Sequence, residues 1–260
     1  MNYKIVKGAV YSLLDYIFSK NNHDDAMLNE LSDFGFSVRA DIFSSDYIDS
    51  VNSDIDRFDD KYFTYYGNDK RIFGSQHLSR FIRQYFDDPI LRRYASEYMD
   101  TKKVLNMSTL FGEIKYDATC KVGSGGGWHR DSYIPQFKTI LYLTDVGPLN
   151  GPFKYIQYSH KWKNIKACNS LLGPECQFLT RYSNEQVERY CLSMNVESQS
   201  FSGKKGTVVL ADTRGIHSGT ALESGSRRAL TNYYSPKVLV SNNNFICGLD
   251  RATGKLVGET

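Results

Sequence analysis

The sequence predicts a mainly β chain with flanking helices, a sandwich or barrel carrying helices on its outside, on three observations. Short β-like runs separated by glycine and proline turns fill the chain beyond residue 103. Helical periodicity is confined to the first hundred or so residues and to one later insert. Aromatic residues reach 14%, including 19 tyrosines, which suits pleated, half-buried surfaces. With 41% hydrophobic and 23% charged residues, the 260 residues can build a sizeable core without disulfides or metal. We read 1–260 as a single domain.

Taken in order, Val6, Val10, Leu13, Leu14, Ile17 and Phe18 follow helical spacing. Lys4, Lys7 and Asp15 make that stretch too short and too broken to span a bilayer, so a helix docked on the core is expected. Ser44 or Ser45 caps a helix that buries Ile48, Val51, Ile55 and Phe58. Leu78, Phe81, Ile82 and Tyr85 mark another. Asp88 followed by Pro89 opens a further helix carrying Leu91, Tyr94, Ala95 and Tyr98. Residues 1–103 are thus expected to be mostly helical. Over about 104–240 the runs VLNMSTLFGEI, KTILYLTDV, FKYIQYS, GTVVLAD and RALTNYYS predict the strands. Residues 161–200 interrupt them with an insert whose SNEQVERYCLSM reads as a helix, placed like a lid over the site.

The 32 basic and 29 acidic residues are well mixed and give a net charge of +3, with no cationic run of the kind nucleic acids require. A small-molecule partner is expected, and neither nucleic acid nor membrane. Cys120, Cys168, Cys176, Cys191 and Cys247 are odd in number and show no C-x-x-C spacing, which argues against a disulfide framework or structural zinc and for a reduced, cytoplasmic setting.

The stretch GSGGGWHRDSY, residues 123–133, concentrates the chemistry. HRD together with DFG at 33–35 suggests a kinase, but DFG precedes HRD, the asparagine expected five residues past the aspartate is Gln136, and no V-A-I-K strand exists. The glycines lack the G-K-[ST] ending and the following helix of a phosphate loop. A metal site fits better. In a strand, residues i and i+2 share a face, so His129 and Asp131 project together while Arg130 points away, giving two legs of a 2-His-1-carboxylate triad for non-haem Fe(II). Of the remaining histidines, His23 and His77 sit in polar or helix-start settings, and His160 follows a strand as a structural or supporting residue. His217, just past the β-type run ending at Asp212, suits the third leg by context. Eleven residues on, Arg228 offers a guanidinium fork to a carboxylate, with Arg227 as its nearest competitor.

Several blocks together resemble the phytanoyl-CoA dioxygenase-like family of Fe(II)/2-oxoglutarate oxygenases: LNELSDFGFSVRADIFSSDYIDSVNSDIDRF, GGGWHRD, GPFKYIQYSHKW and DTRGIHSG with SRRALTNYYSP. The resemblance implies a double-stranded β-helix, the jelly-roll, cupin-like barrel. It also implies iron ligation by His129, Asp131 and His217 and a 2-oxoglutarate salt bridge to Arg228. Met107 and Tyr142 are expected on the wall around the co-substrate. A hydroxyl common two residues past the distal histidine is Gly219 here, so Ser218 or Thr220 must supply that contact if one exists. Gln157-Tyr158 stands where the family has Pro-Gly. Asp131 is kept where related halogenases lose the carboxylate.

The implied activity is a dioxygenase that uses Fe(II), 2-oxoglutarate and O2 to hydroxylate a small molecule, releasing succinate and CO2. Desaturation or epimerisation would begin alike. The alternative is a non-catalytic metal- or ligand-binding jelly-roll protein. Trp162, Arg181 and Tyr182 in the insert are the candidate substrate contacts; a sugar, an amino-acid derivative, a natural-product intermediate and a CoA thioester all remain open.

Overall fold

The computed structural model describes residues 25–40, 42–120, 127–173 and 178–237, and the two short strands Gly248–Leu249 and Leu256–Val257. The helix expected over 6–18 lies outside the described residues, as do His23, Cys176 and Cys247. No described helix is long and apolar enough to cross a membrane.

Four helices form one layer: α1 (Ala26–Phe34), α2 (Ser45–Ile55), α3 (Arg80–Phe86) and α4 (Pro89–Tyr98). Their starts follow the sequence signals, with Ser44 accepting from Tyr47 N and Asp88 accepting from Ile90 N and Leu91 N ahead of Pro89. α1 ends on Gly35, whose φ of 89° only glycine adopts without strain. A Cβ there would lie 2.4 Å from the Tyr155 hydroxyl and 2.6 Å from His160 Nδ1, so the position is closed to side chains twice over.

The strands are β1 (Phe36–Arg39), β2 (Thr64–Tyr66), β3 (Asp69–Ile72), β4 (Val104–Lys115), β5 (Phe137–Tyr142), β6 (Phe153–Ile156), β7 (Ser198–Phe201), β8 (Val208–Asp212), β9 (His217–Gly219) and β10 (Ser226–Pro236). They form two antiparallel sheets, one of seven strands in the order β1-β8-β5-β10-β4-β3-β2 and one of three in the order β7-β6-β9. Single bridges from His129 to His217 and to Arg181 extend the smaller sheet. The sheets face one another as a jelly roll and do not close into the barrel expected from the sequence. Three strands, β1 to β3, also lie within the first hundred residues and join the large sheet, so that segment is less purely helical than its periodicity suggests.

Strand alternation sorts the large sheet's two faces. On one, Phe111, Phe137, Leu141, Val208, Leu210, Leu230 and Tyr234 pack against Leu31, Ile48, Val51, Ile82, Leu91 and the rest of the helical layer. On the other, Ile140, Tyr142, Val209 and Ala211 meet Phe153, Tyr155 and Phe201 of the small sheet. Both faces being covered explains why β5 and β8 are buried at every position.

The insert folds as α5 (Trp162–Leu172) and α6 (Asn184–Met194), the latter opened by a Ser183/Gln186 capping box. Cys168, Leu172, Val187 and Tyr190 pack against Ile156 and Ile216, which makes these helices a flank of the small sheet.

Candidate metal centre

Between the two sheets lies a cavity of about 480 Å³. Its floor is one face of β3, β4, β5 and β10, and its opposite side comes from β6, β9 and the segments around His129 and Arg181.

His129 and His217 exchange backbone hydrogen bonds, His129 N to His217 O at 2.9 Å and His217 N to His129 O at 2.8 Å. Paired rungs put their rings on the same side, 4.3 Å apart at the centroids. Asp131 follows on the same face, its backbone N–H held by Thr213 O at 3.0 Å. Each histidine Nδ1 lies 2.9 Å from a carbonyl two residues earlier, Gly127 O for His129 and Gly215 O for His217. A carbonyl only accepts, so Nδ1 carries the proton and Nε2 presents its lone pair. Those Nε2 atoms both lie 3.7 Å from Asp131 carboxylate oxygens, and one donor atom from each residue falls within 4.8 Å of the others.

These donors fit a divalent ion of the iron type. Bonds of about 2.1 Å at right angles would separate neighbouring donors by about 3 Å, somewhat tighter than the 3.7 Å from each Nε2 to Asp131 here. Two imidazoles and one carboxylate are also the donor set of an open facial triad. Burial pushes His217 down to about 3 and His129 downward too, keeping both imidazoles neutral and able to ligate. For Asp131, burial acts to raise the carboxyl, but the Lys138 ammonium and His217 outweigh it and hold the group well below the usual range. Asp131 Oδ2 makes no hydrogen bond of acceptable geometry, although Lys138 Nζ stands 2.5 Å away, which leaves a buried anionic oxygen aimed at the site.

Arg130 turns away from the metal side as strand parity requires. Its Nε donates to the Tyr182 hydroxyl at 2.8 Å, and Nη1 donates to Ser159 O and Arg214 O. A guanidinium only 2% exposed is thereby supplied with partners.

The second arginine assignment needs correction. Arg228 does not line the cavity: its Nε pairs with Glu113 at 2.8 Å and its Nη1 with Asp56 at 2.7 Å. Arg227 lines it instead, alongside Ala229, Thr231 and Tyr233 of the same strand. The reason is parity, since a shift of one residue along a strand exchanges its faces. Arg228 shares its side with Leu230 and Tyr234, which pack on the helical layer. Arg227 has no ion-pair partner among the described residues, and burial pulls its guanidinium down.

Met107 and Tyr142 line the cavity as expected. Ser218 and Thr220 do not: Ser218 Oγ donates to Gly219 O at 3.1 Å and Thr220 Oγ1 to Pro152 O at 2.8 Å, while Gly219 itself lines the wall. Of the three residues proposed from the insert, only Arg181 reaches the cavity, together with Thr180. Trp162 is buried against Tyr133 and Ile165, and the Tyr182 hydroxyl donates to Leu179 O at 2.8 Å, so both serve the core. His160 is a buried support, its Nε2 3.2 Å from Ser32 O. Lys138, Arg71 and Asp69 are cavity residues that the sequence reading missed. A lysine inside FKTILY, an otherwise uncharged strand, was the available signal for the first.

A search of curated proteins returns no match for the sequence. Solved structures share the fold at low identity. EctD from S. alaskensis, in its apoform, aligns with a TM-score of 0.66 at 17% identity, covering 90% of this chain and 86% of its own. SnoK, a non-heme alpha-ketoglutarate-dependent carbocyclase from nogalamycin biosynthesis, aligns at 0.63 with 14% identity, covering 82% of this chain and 84% of its own. HygX from Streptomyces hygroscopicus, solved with nickel and 2-oxoglutarate bound, aligns at 0.59 with 17% identity, covering 83% of this chain and 88% of its own. The family model for phytanoyl-CoA dioxygenase (PhyH) matches residues 31–230, a span that holds all three ligands and both arginines. The chain belongs to the phytanoyl-CoA dioxygenase (PhyH) family of iron- and 2-oxoglutarate-dependent enzymes.

Proposed function

We propose that this protein is a dioxygenase that hydroxylates a small molecule at the His129, Asp131, His217 centre. The observation that carries the reading is the convergence of those three donors, with both imidazoles fixed in the ligating tautomer, on a cavity that also presents an arginine. Iron and 2-oxoglutarate, when bound, supply with O2 the oxidising equivalents: one oxygen atom enters a substrate C–H bond as hydroxyl, the other leaves in succinate, and CO2 is released.

The chain's own part is to hold, orient and exclude. His129, Asp131 and His217 would occupy one face of the metal and leave the opposite face for ligands. Arg227 would clamp the distal carboxylate of 2-oxoglutarate, each charge-assisted hydrogen bond contributing about 1.5–3 kcal/mol. This role passes to it from Arg228 because its guanidinium is half-buried, borders the cavity and has no ion-pair partner among the described residues. Met107, Ile140 and Phe153 supply apolar wall that keeps water from the reacting centre. Gly112 has nothing within 4 Å of where a Cβ would stand, and Ala229 sits opposite it, so the floor is open there for a ligand.

The test is succinate formation from 2-oxoglutarate with Fe(II) and O2, first without and then with a panel of metabolites. Turnover in the wild type and none in Asp131→Ala supports the enzyme. A well-folded wild type that takes up neither iron nor 2-oxoglutarate contradicts it.

A further inference from the structure

We infer that Lys138 is a positioning residue for the metal centre: its ammonium draws off one oxygen of Asp131, so that the carboxylate binds the ion through the other oxygen alone and a position stays open for a reactant. The inference rests on the oxygenase reading above and adds a residue to the same site.

Asp131 as placed offers both of its oxygens. Oδ1 lies 3.7 Å from His129 Nε2, and Oδ2 lies 3.7 Å from His217 Nε2. An ion held between the two imidazoles is therefore within reach of either oxygen or of both. The number that bind decides what else fits. On an octahedral ion, two imidazoles and one carboxylate oxygen leave three positions, enough for a chelating 2-oxo acid and O2. A second Asp131 oxygen would fill one of the three. Beside the chelate, no place for O2 would remain.

Lys138 is the group that can hold one oxygen back. Its Nζ stands 2.5 Å from Asp131 Oδ2, and Asp131 is its only ion-pair partner among the described residues. Thr213 also faces the carboxylate, but its hydroxyl donates to Gln136 O at 3.3 Å and Oε1 at 3.2 Å, which leaves Lys138 as the charged partner. The strand register keeps the lysine there. Tyr233 on β10 stands directly opposite it, with the ring centre 4.5 Å from Nζ, and on β8 the opposite residue is Ala211, whose side chain offers no partner. Lys138 is buried, and a buried ammonium is costly where an apolar side chain of the same length would pack. Packing alone would be met by methionine, so the position uses the charge, and Asp131 is what the charge meets. The contact as it stands is an ion pair without good hydrogen-bond geometry. An ammonium on a flexible four-carbon stem can follow Oδ2 as the metal draws Oδ1 in.

The test begins with the wild-type protein crystallised with Ni(II) and 2-oxoglutarate. One Asp131 oxygen should lie about 2.0–2.2 Å from the metal, with the other on Lys138 Nζ. Both oxygens on the metal, or an ammonium turned away to another partner, overturns the inference. Lys138→Met then separates positioning from support of the site's shape. Losing a cation beside the ion and freeing a second oxygen both favour the metal, so Ni(II) affinity in calorimetric titration should equal or exceed that of the wild type. Nitric oxide reports the open position: with Fe(II) and saturating 2-oxoglutarate in the absence of air, it should bind Lys138→Met at least fivefold more weakly, read from the electron paramagnetic resonance of the nitrosyl complex. A smaller loss in the folded variant overturns the inference, and so does a threefold or greater fall in Ni(II) affinity. Failure of the oxygenase reading shows earlier, as absent uptake of Ni(II) and 2-oxoglutarate by the wild type, and it removes this inference with it.

Discussion

The two faces of the seven-stranded sheet are made by the same strands and do opposite work. Toward the helices, β5 and β10 present Phe137, Leu141, Leu230 and Tyr234 to a closed apolar core. At the alternate positions of the same strands, Lys138, Arg227 and Tyr233 face the cavity. On the helical side the strands' polar groups have partners: Asn232 donates to Tyr85 O at 2.9 Å, and Arg228 is held by Glu113 and Asp56. On the cavity side, Arg227 lacks an ion-pair partner among the described residues and Asp131 Oδ2 lacks a well-formed hydrogen bond. On this sheet the partnered polar groups hold the fold together, and the incompletely partnered ones border the cavity, where a ligand can meet them.

Adjacent residues on β10 test that contrast. The largest effect on co-substrate binding is expected at the arginine pair: Arg227→Met should raise the KM for 2-oxoglutarate about 10- to 150-fold, the loss of about 1.5–3 kcal/mol. Arg228→Met should leave that KM within about threefold and lower Tm instead, because it strips Glu113 of its partner in the folded core. A reversed pattern would break the comparison.

The largest effect on stability belongs to Leu230→Ala, which empties a fully buried position on the helical side and should cost about 2–5 kcal/mol in denaturant unfolding. Bound 2-oxoglutarate should show unchanged affinity in that variant, provided the protein is folded. A change in 2-oxoglutarate affinity without a change in stability would show that the faces are not separate.

A smaller, pH-dependent effect belongs to His160, buried beside the α1 end and pushed down to about 4 by burial. Unfolded, it protonates near pH 6.5; folded, it resists until about 4. Between those values the unfolded chain binds the extra proton, so stability falls as pH drops from about 6.5 to 4, by on the order of 3 kcal/mol from this group. Above about 6.5 the group contributes no slope. His160→Asn should flatten the Tm against pH curve in that window, and an unchanged slope would contradict the assignment.

Much of this molecule is legible in its sequence, and the failures share one cause. Ser44, Asp88 and Pro89 mark helix starts by local hydrogen bonding, which needs no tertiary information. His129 and Asp131 are readable as a pair because strand alternation is local too. The identity of His217 as their neighbour, by contrast, depends on a pairing across 88 residues that only context suggests. Distance from His217 favours Arg228, yet parity decides. Leu230 and Tyr234 share its side and already reveal the apolar face, whereas Arg227 keeps company with Ala229 and Thr231. Trp162 and Tyr182 misled because an aromatic in an insert reads equally as pocket or core, and here α5 and α6 use theirs to bury the flank of the small sheet. The open sheets were also beyond reach, since closure depends on edge strands whose pairing no local pattern encodes.

A crystal structure of the protein with Ni(II) and 2-oxoglutarate tests the central claim most directly. The account predicts one metal bound by His129 Nε2, His217 Nε2 and an Asp131 oxygen at about 2.0–2.2 Å, with the distal carboxylate of 2-oxoglutarate on Arg227. A metal bound elsewhere, or a carboxylate seated on Arg228, would contradict it.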